Sequence, residues 1–162
     1  LGFTKIIKES FLKKNNYNFV IHESALPKGK GFSPVQWQII NNKNIVPVSL
    51  ILASKNFDSG DIVLKDSMRL DGTELLDEIR EIQADVTIRL IKKLIKIFPN
   101  LKFKKQKGQS TFYRKRTHED NRIDIYKSLI SQINILRVSD NNHYPVHFTY
   151  KKKRFLLKIF KN

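Results

Sequence analysis

With 162 residues, 40% of them hydrophobic, the chain has material for about one ordinary domain with a real core. It has no cysteine, which excludes disulfides, thiolate nucleophiles and Cys-based metal sites and fits a reducing, cytoplasmic setting. No apolar run approaches the ~20 residues of a membrane span, and the start carries no signal-peptide pattern. The net charge of +16 is unevenly placed: residues 1–100 hold 15 basic against 11 acidic side chains, and residues 101–162 hold 16 against 4. A half biased by +12 points to a polyanionic partner or to a Lys-rich composition.

In chain order, Phe19 to His22 reads as a short buried strand, followed by a Pro/Gly loop over Pro27 to Gly31. Ser33-Pro34 is a helix-start signal for a short helix over Val35 to Ile40. Val46 to Ala53 is apolar, partly β-branched and bounded by turn formers, so it is a strand. Asp58-Ser59-Gly60-Asp61 is turn chemistry, and Ile62 to Leu64 begins another extended piece towards Met68. Thr73 opens the clearest helix: Leu75, Leu76, Ile79, Ile82, Val86, Leu90, Leu94 and Ile97 recur at helical spacing until Pro99. Residues 100–121 carry little periodicity and read as a linker or extended crossover. Asp124 is placed to start a second helix with Ile125, Leu129, Ile133 and Leu136 on one face. Val146 to Tyr150 and Arg154 to Phe160 read as two strands around a Lys151–Lys153 turn.

Two short pieces carry chemistry. His22 follows one apolar run, and Asp58 follows another, so both are expected at strand exits, where α/β enzymes gather catalytic groups. An imidazole and a carboxylate brought together can share a proton at neutral pH, which is the minimum equipment for moving an acyl group onto an amine. The remaining histidines, at 118, 143 and 147, form no metal constellation; His143 and His147 flank Pro145, which breaks helical pairing. No metal is expected.

The stretch from His22 through Ser24, Leu26-Pro27, Gly31 and Pro34 to Trp37, with Asp58-Ser59-Gly60-Asp61-Ile62 at the matching interval, resembles the folate-dependent formyltransferase family. The family pattern there is H-x-S-x-L-P, a glycine, P-x-x-W, and then D-[TS]-G-D-I. Phe112-Tyr113-Arg114 through Glu119-Asp120, Ile123-Asp124, and Leu136-Arg137 through Pro145 resemble the family's tail motifs. The resemblance implies an α/β fold: the C-terminal part of a Rossmann-like sheet domain over residues 1–99, a crossover over 100–121, and a small helix-plus-hairpin subdomain over 122–162. Since residue 1 is Leu and the only Met is Met68, the chain reads as the C-terminal part of a longer protein whose earlier strands precede it.

The resemblance also implies a donor, 10-formyltetrahydrofolate, and a primary amine as acceptor, with His22 and Asp58 as the catalytic pair. Phe3, Ile6, Ile7, Phe57 and Asp61 would line the folate site, although Asp61 also reads as a turn or capping residue. Ser24 would orient His22 or the loop. Lys28 and Lys30 read as solvated loop charges or as contacts to a phosphate or to the glutamate tail of the folate. The family's Asn, two places before the His, is Val20 here, which has no donor for a developing oxyanion; loss of one such donor typically costs on the order of a hundredfold in rate.

Three acceptor readings follow. The form of the Pro27–Pro34 loop resembles bacterial enzymes that formylate nucleotide-linked amino sugars for surface polysaccharide. Methionyl-tRNA is the second, favoured by the basic tail but with a family barrel that looks too long for the ~45 residues after Tyr113. The third is a degenerate, non-catalytic basic module. A homodimer is possible, and no membrane partner is expected.

Overall fold

A computed structural model describes residues 9–162. The expected folate contacts Phe3, Ile6 and Ile7 lie outside the described residues. The centre is a three-stranded antiparallel sheet in the order β1 (Phe19–His22), β3 (Ile45–Leu52), β4 (Ile62–Arg69). Phe19 pairs with Leu52 and His22 with Ser49; Ile45 pairs with Arg69. Side chains alternate across a strand, so Phe19 and Ile21 pack on the main core while Val20 joins Leu26, Ile51 and Ile62 on the other face.

The main core lies between this sheet and two helices, α2 (Pro34–Ile40) and α3 (Leu76–Ile97). Val35 and Ile39 of α2, Val46, Val48, Leu50 and Met68 of the sheet, and Ile79, Val86 and Leu90 of α3 form one buried cluster. The stripe in α3 is the periodic one of the sequence, and the helix starts three residues later than Thr73. Asp71 accepts the Thr73 amide and hydroxyl in a local turn, and Glu78 accepts the Leu75 amide, which satisfies one of the free donors at the helix start. Ser33 sits in the left-handed region (φ 50°) and makes no side-chain cap; Pro34, with its preset φ, begins α2 instead.

Residues 100–117 form no helix and pair with the rest of the fold at two places. Lys104 exchanges both backbone hydrogen bonds with Ile62, and β5 (Phe112–Tyr113) pairs in parallel with β2 (Lys30–Gly31). A 3-10 turn over His118–Asn121 follows.

The tail departs from the expected helix. Only Ile133–Arg137 (α4) is α-helical, preceded by a 3-10 turn over Ile130–Gln132. The buried Gln132 side chain accepts the Asp124 amide and donates to the Asp124 carbonyl, while Asp124 accepts the Tyr126 amide. These side chain–backbone bonds compete with helix geometry, so Leu129 and Ile130 are exposed instead of lining a core face. The hairpin is present: β6 (Val146–Tyr150) pairs with β7 (Lys153–Leu157). Its turn is Lys151-Lys152, both at positive φ (46° and 62°), as two-residue hairpin turns of the primed type require. Ile123, Leu136 and Val146 make a second small core.

Candidate active site

β1 and β3 run antiparallel, so His22 and the loop bearing Asp58 leave opposite ends of the sheet. Two fold-back segments bring them together. The first is residues 23–31, which returns Gly29 to the His22 ring. The second is residues 53–61, which turns over the end of β3. Gly60 makes this possible: a Cβ there would lie 1.7 Å from the Leu52 carbonyl oxygen. Asp58 takes a left-handed conformation (φ 48°), which Asp tolerates better than most residues.

The result is a buried pair. The His22 Nδ1 lies 3.5 Å from Asp58 Oδ1, with side-chain exposures of 7% and 14%. His22 Nε2 lies 2.8 Å from the Gly29 carbonyl, which can only accept, so Nε2 carries a proton. Both ring nitrogens therefore face oxygen acceptors; the imidazolium satisfies both, and the neutral tautomer satisfies the Gly29 side alone. Asp58 Oδ2 accepts the Gly31 amide at 2.8 Å, which fixes the rotation of the carboxylate.

A second ring of contacts holds these groups. The Gly29 amide donates to the Thr111 hydroxyl at 2.8 Å, and the Lys30 amide to the Thr111 carbonyl at 2.9 Å. Gly31 (φ 96°) has no room for a Cβ, which would meet the Tyr113 carbonyl oxygen at 2.4 Å. Gln106 donates from its amide to the carbonyls of Asp58 and Gly60. Trp37 donates to the Arg114 carbonyl, stacks on Tyr113, and carries the Arg114 guanidinium over its ring. Arg114 in turn pairs with Asp120.

The other sequence candidates fall as follows. Ser24 is buried, its hydroxyl has no partner among the described residues, and its carbonyl accepts the Ser49 hydroxyl. Lys28 is exposed. Lys30 is not the solvated charge of its alternative reading: it is buried and donates to the Ser59 hydroxyl at 3.1 Å. The Asp61 carbonyl accepts the Leu52 amide, a structural use. Phe57 is 59% exposed next to Asp58, an open apolar face suited to a flat ring. Sequence reasoning missed Gly29, Gln106 and Thr111, and placed Gly31 in the motif without its contact to Asp58. All four act through backbone groups or bind backbone from 40 or more residues away, and no local spacing signals that. Among the described residues, no cluster of three His, Asp or Glu side chains could hold a metal ion, and no helix is long and apolar enough to cross a membrane.

The formyl transferase family model matches residues 1–95. The chain belongs to this family. A methionyl-tRNA formyltransferase of Caldanaerobacter subterraneus subsp. tengcongensis is 30% identical over 167 residues, covering 99% of this chain and 52% of that protein. A solved methionyl-tRNA formyltransferase from Clostridium thermocellum superposes with a TM-score of 0.78 at 25% identity, covering 97% of this chain and 68% of the other. A sugar N-formyltransferase from a Shewanella species superposes at 0.74 with 17% identity, covering 96% and 65%, a likeness of fold. The chain thus spans about half the length of the curated relatives it matches, and its α/β architecture is that of the formyltransferases.

Proposed function

We propose that the full-length protein moves a formyl group from a folate donor to a primary amine, with His22 and Asp58 as the catalytic pair. The observation that carries this is the 3.5 Å approach of the buried His22 ring to the Asp58 carboxylate, across two loops that fold back from opposite ends of the sheet. The folate donor supplies an activated formyl carbon. A neutral acceptor amine forms the new C–N bond as the C–N bond to the donor breaks, and one proton must travel from the amine to the departing nitrogen. His22 is placed to hold or relay that proton, and Asp58 orients the imidazole. Phe57, exposed beside Asp58, is the described side chain that fits a folate ring.

For the acceptor we propose a nucleotide-linked amino sugar. Support comes from the form of the Pro27–Pro34 loop and from the compact helix-and-hairpin arrangement of residues 122–157. Methionyl-tRNA is the second reading, favoured by the curated relative at 30% identity and by the +12 tail.

The test is formyl transfer by the full-length protein, with 10-formyltetrahydrofolate, to a panel of amino-deoxy nucleotide sugars and to methionyl-tRNA. His22→Asn and Asp58→Asn are each expected to lower kcat by on the order of 10²–10⁴; wild-type rates in both would remove the pair from catalysis. A nucleotide sugar offers two phosphates and should show a shallow salt dependence. A tRNA contacted at six or more phosphates should lose roughly a thousandfold in affinity between 50 and 200 mM salt. Transfer to tRNA alone with that steep slope would overturn the sugar proposal.

A further inference from the structure

Gln106 lies 48 residues from Asp58, in a stretch whose sequence shows no periodic pattern, yet it holds the turn on which Asp58 sits. The backbone exchange between Lys104 and Ile62 sets Gln106 beside residues 58–60. Its Nε2 then donates to the Asp58 carbonyl at 2.8 Å and the Gly60 carbonyl at 2.9 Å, so both amide hydrogens are spent on this one turn. Among the described residues, no backbone amide of a turn or loop is hydrogen-bonded to those two carbonyls. The turn gains from an outside hold because Asp58 is left-handed (φ 48°), a conformation that Asp tolerates better than most residues but that still costs it some free energy. The carboxylate is aimed from the same backbone: Oδ2 takes the Gly31 amide, and Oδ1 faces the His22 ring.

We propose that Gln106 is a positioning residue for catalysis: its amide clamps the Asp58 turn in the one backbone geometry that points the carboxylate at His22. It touches no reacting atom and acts only through Asp58. The proposal rests on the reading of Asp58 as the partner of His22.

The experiment uses the full-length protein and Gln106→Met, which keeps length and removes both donors. The Gly31 amide is a direct reporter, since its proton is held by the Asp58 carboxylate. Its hydrogen exchange should quicken at least tenfold in the variant, while amides in the middle of α3, such as that of Val86, keep their rates. With the donor and acceptor found active above, kcat should fall by about ten- to a hundredfold, as misplacing a group by an ångström does, with acceptor KM within about threefold. In an Asp58→Asn background, Gln106→Met should remove nothing more, because coupled residues are non-additive. Unchanged Gly31 exchange, an unchanged kcat, or the same fractional loss in the Asp58→Asn background would each overturn the proposal. If Gln106→Met does not fold, Gln106→Asn, whose amide falls one methylene short, carries the same cycle with the same expectations. A wild-type kcat for Asp58→Asn would instead defeat the catalytic reading of Asp58, and the exchange result would still show whether Gln106 sets the turn.

Discussion

At the scale of single residues, the departure that matters is Val20. Its side chain lies on the same sheet face as His22, two residues along β1, and packs with Leu26, Ile51 and Ile62. The family's Asn at this place would put an amide donor beside the imidazole; a valine there extends a small apolar cluster up to the site. In the proposed reaction, negative charge developing on the formyl oxygen would lack one donor. Val20→Asn should raise kcat by on the order of a hundredfold, at a stability cost of roughly 1–3 kcal/mol for placing an amide among apolar neighbours. Steady-state kinetics and urea unfolding measure the two effects. An unchanged kcat would mean that another donor already serves the oxyanion. The approach of His22 to Asp58 was legible in the sequence because each sits in a contiguous motif. The contacts that aim them were not, since the Gly31 amide and the Gln106 side chain meet Asp58 only after two loops have folded back.

At the scale of elements, α3 was legible from apolar residues at helical spacing, α2 from its Ser33-Pro34 start, and the strands of the sheet from apolar runs; the tail helix was not. Ile125, Leu129, Ile133 and Leu136 satisfy a helical template, yet Gln132 spends its amide on the 124–128 turn, and a polar side chain used in this way leaves no trace in hydrophobic spacing. A buried ion pair joins the tail to the segment ahead of α3, beside Val138 packed in the main core. Arg137, 2% exposed, donates to the Glu74 carboxylate at 2.9 Å, to the Glu74 carbonyl at 3.1 Å, and to Asn134. Glu74 also accepts the amides of Asp71 and Gly72 just ahead of α3. Removing one partner of such a pair strands a buried charge, whereas the pair itself contributes little over an apolar substitute. Arg137→Ala should therefore lower stability by about 3–5 kcal/mol in urea unfolding. A loss below about 1 kcal/mol would show that Glu74 finds water or Lys161 instead.

For the whole molecule, the +16 charge makes the placement of its few carboxylates important. Three of them are held far below the ordinary 3.8. For Asp66, burial pushes upwards, but hydrogen bonds from Arg89, Lys93 and the Ser67 amide outweigh it and bring the carboxyl to about 2. Asp120 is brought to about 2 by the Arg114 guanidinium first, against burial, and then by Thr117. Asp140 reaches about 2 chiefly through the His143 amide, with burial opposing and Asn142 and Arg80 assisting. A carboxylate with a depressed folded-state value contributes stability that is fully present above its unfolded value and is lost as pH falls through the folded one. His147 acts in the same direction at higher pH. Burial, then Arg154, lowers its value below 6.5, so the unfolded chain takes up that proton first as the solution is acidified. Stability should thus decline modestly below pH ~6.5 and steeply between pH ~4 and ~2, read as the urea midpoint across that range. General repulsion among the basic groups would give a similar trend, but 0.5 M salt shortens its reach to a few ångströms. The local contribution should survive that salt, and Asp140→Asn should flatten its share of the steep limb. A midpoint that stays level from pH 4 to 2 in high salt would show that these three carboxylates gain nothing from their partners in the folded chain.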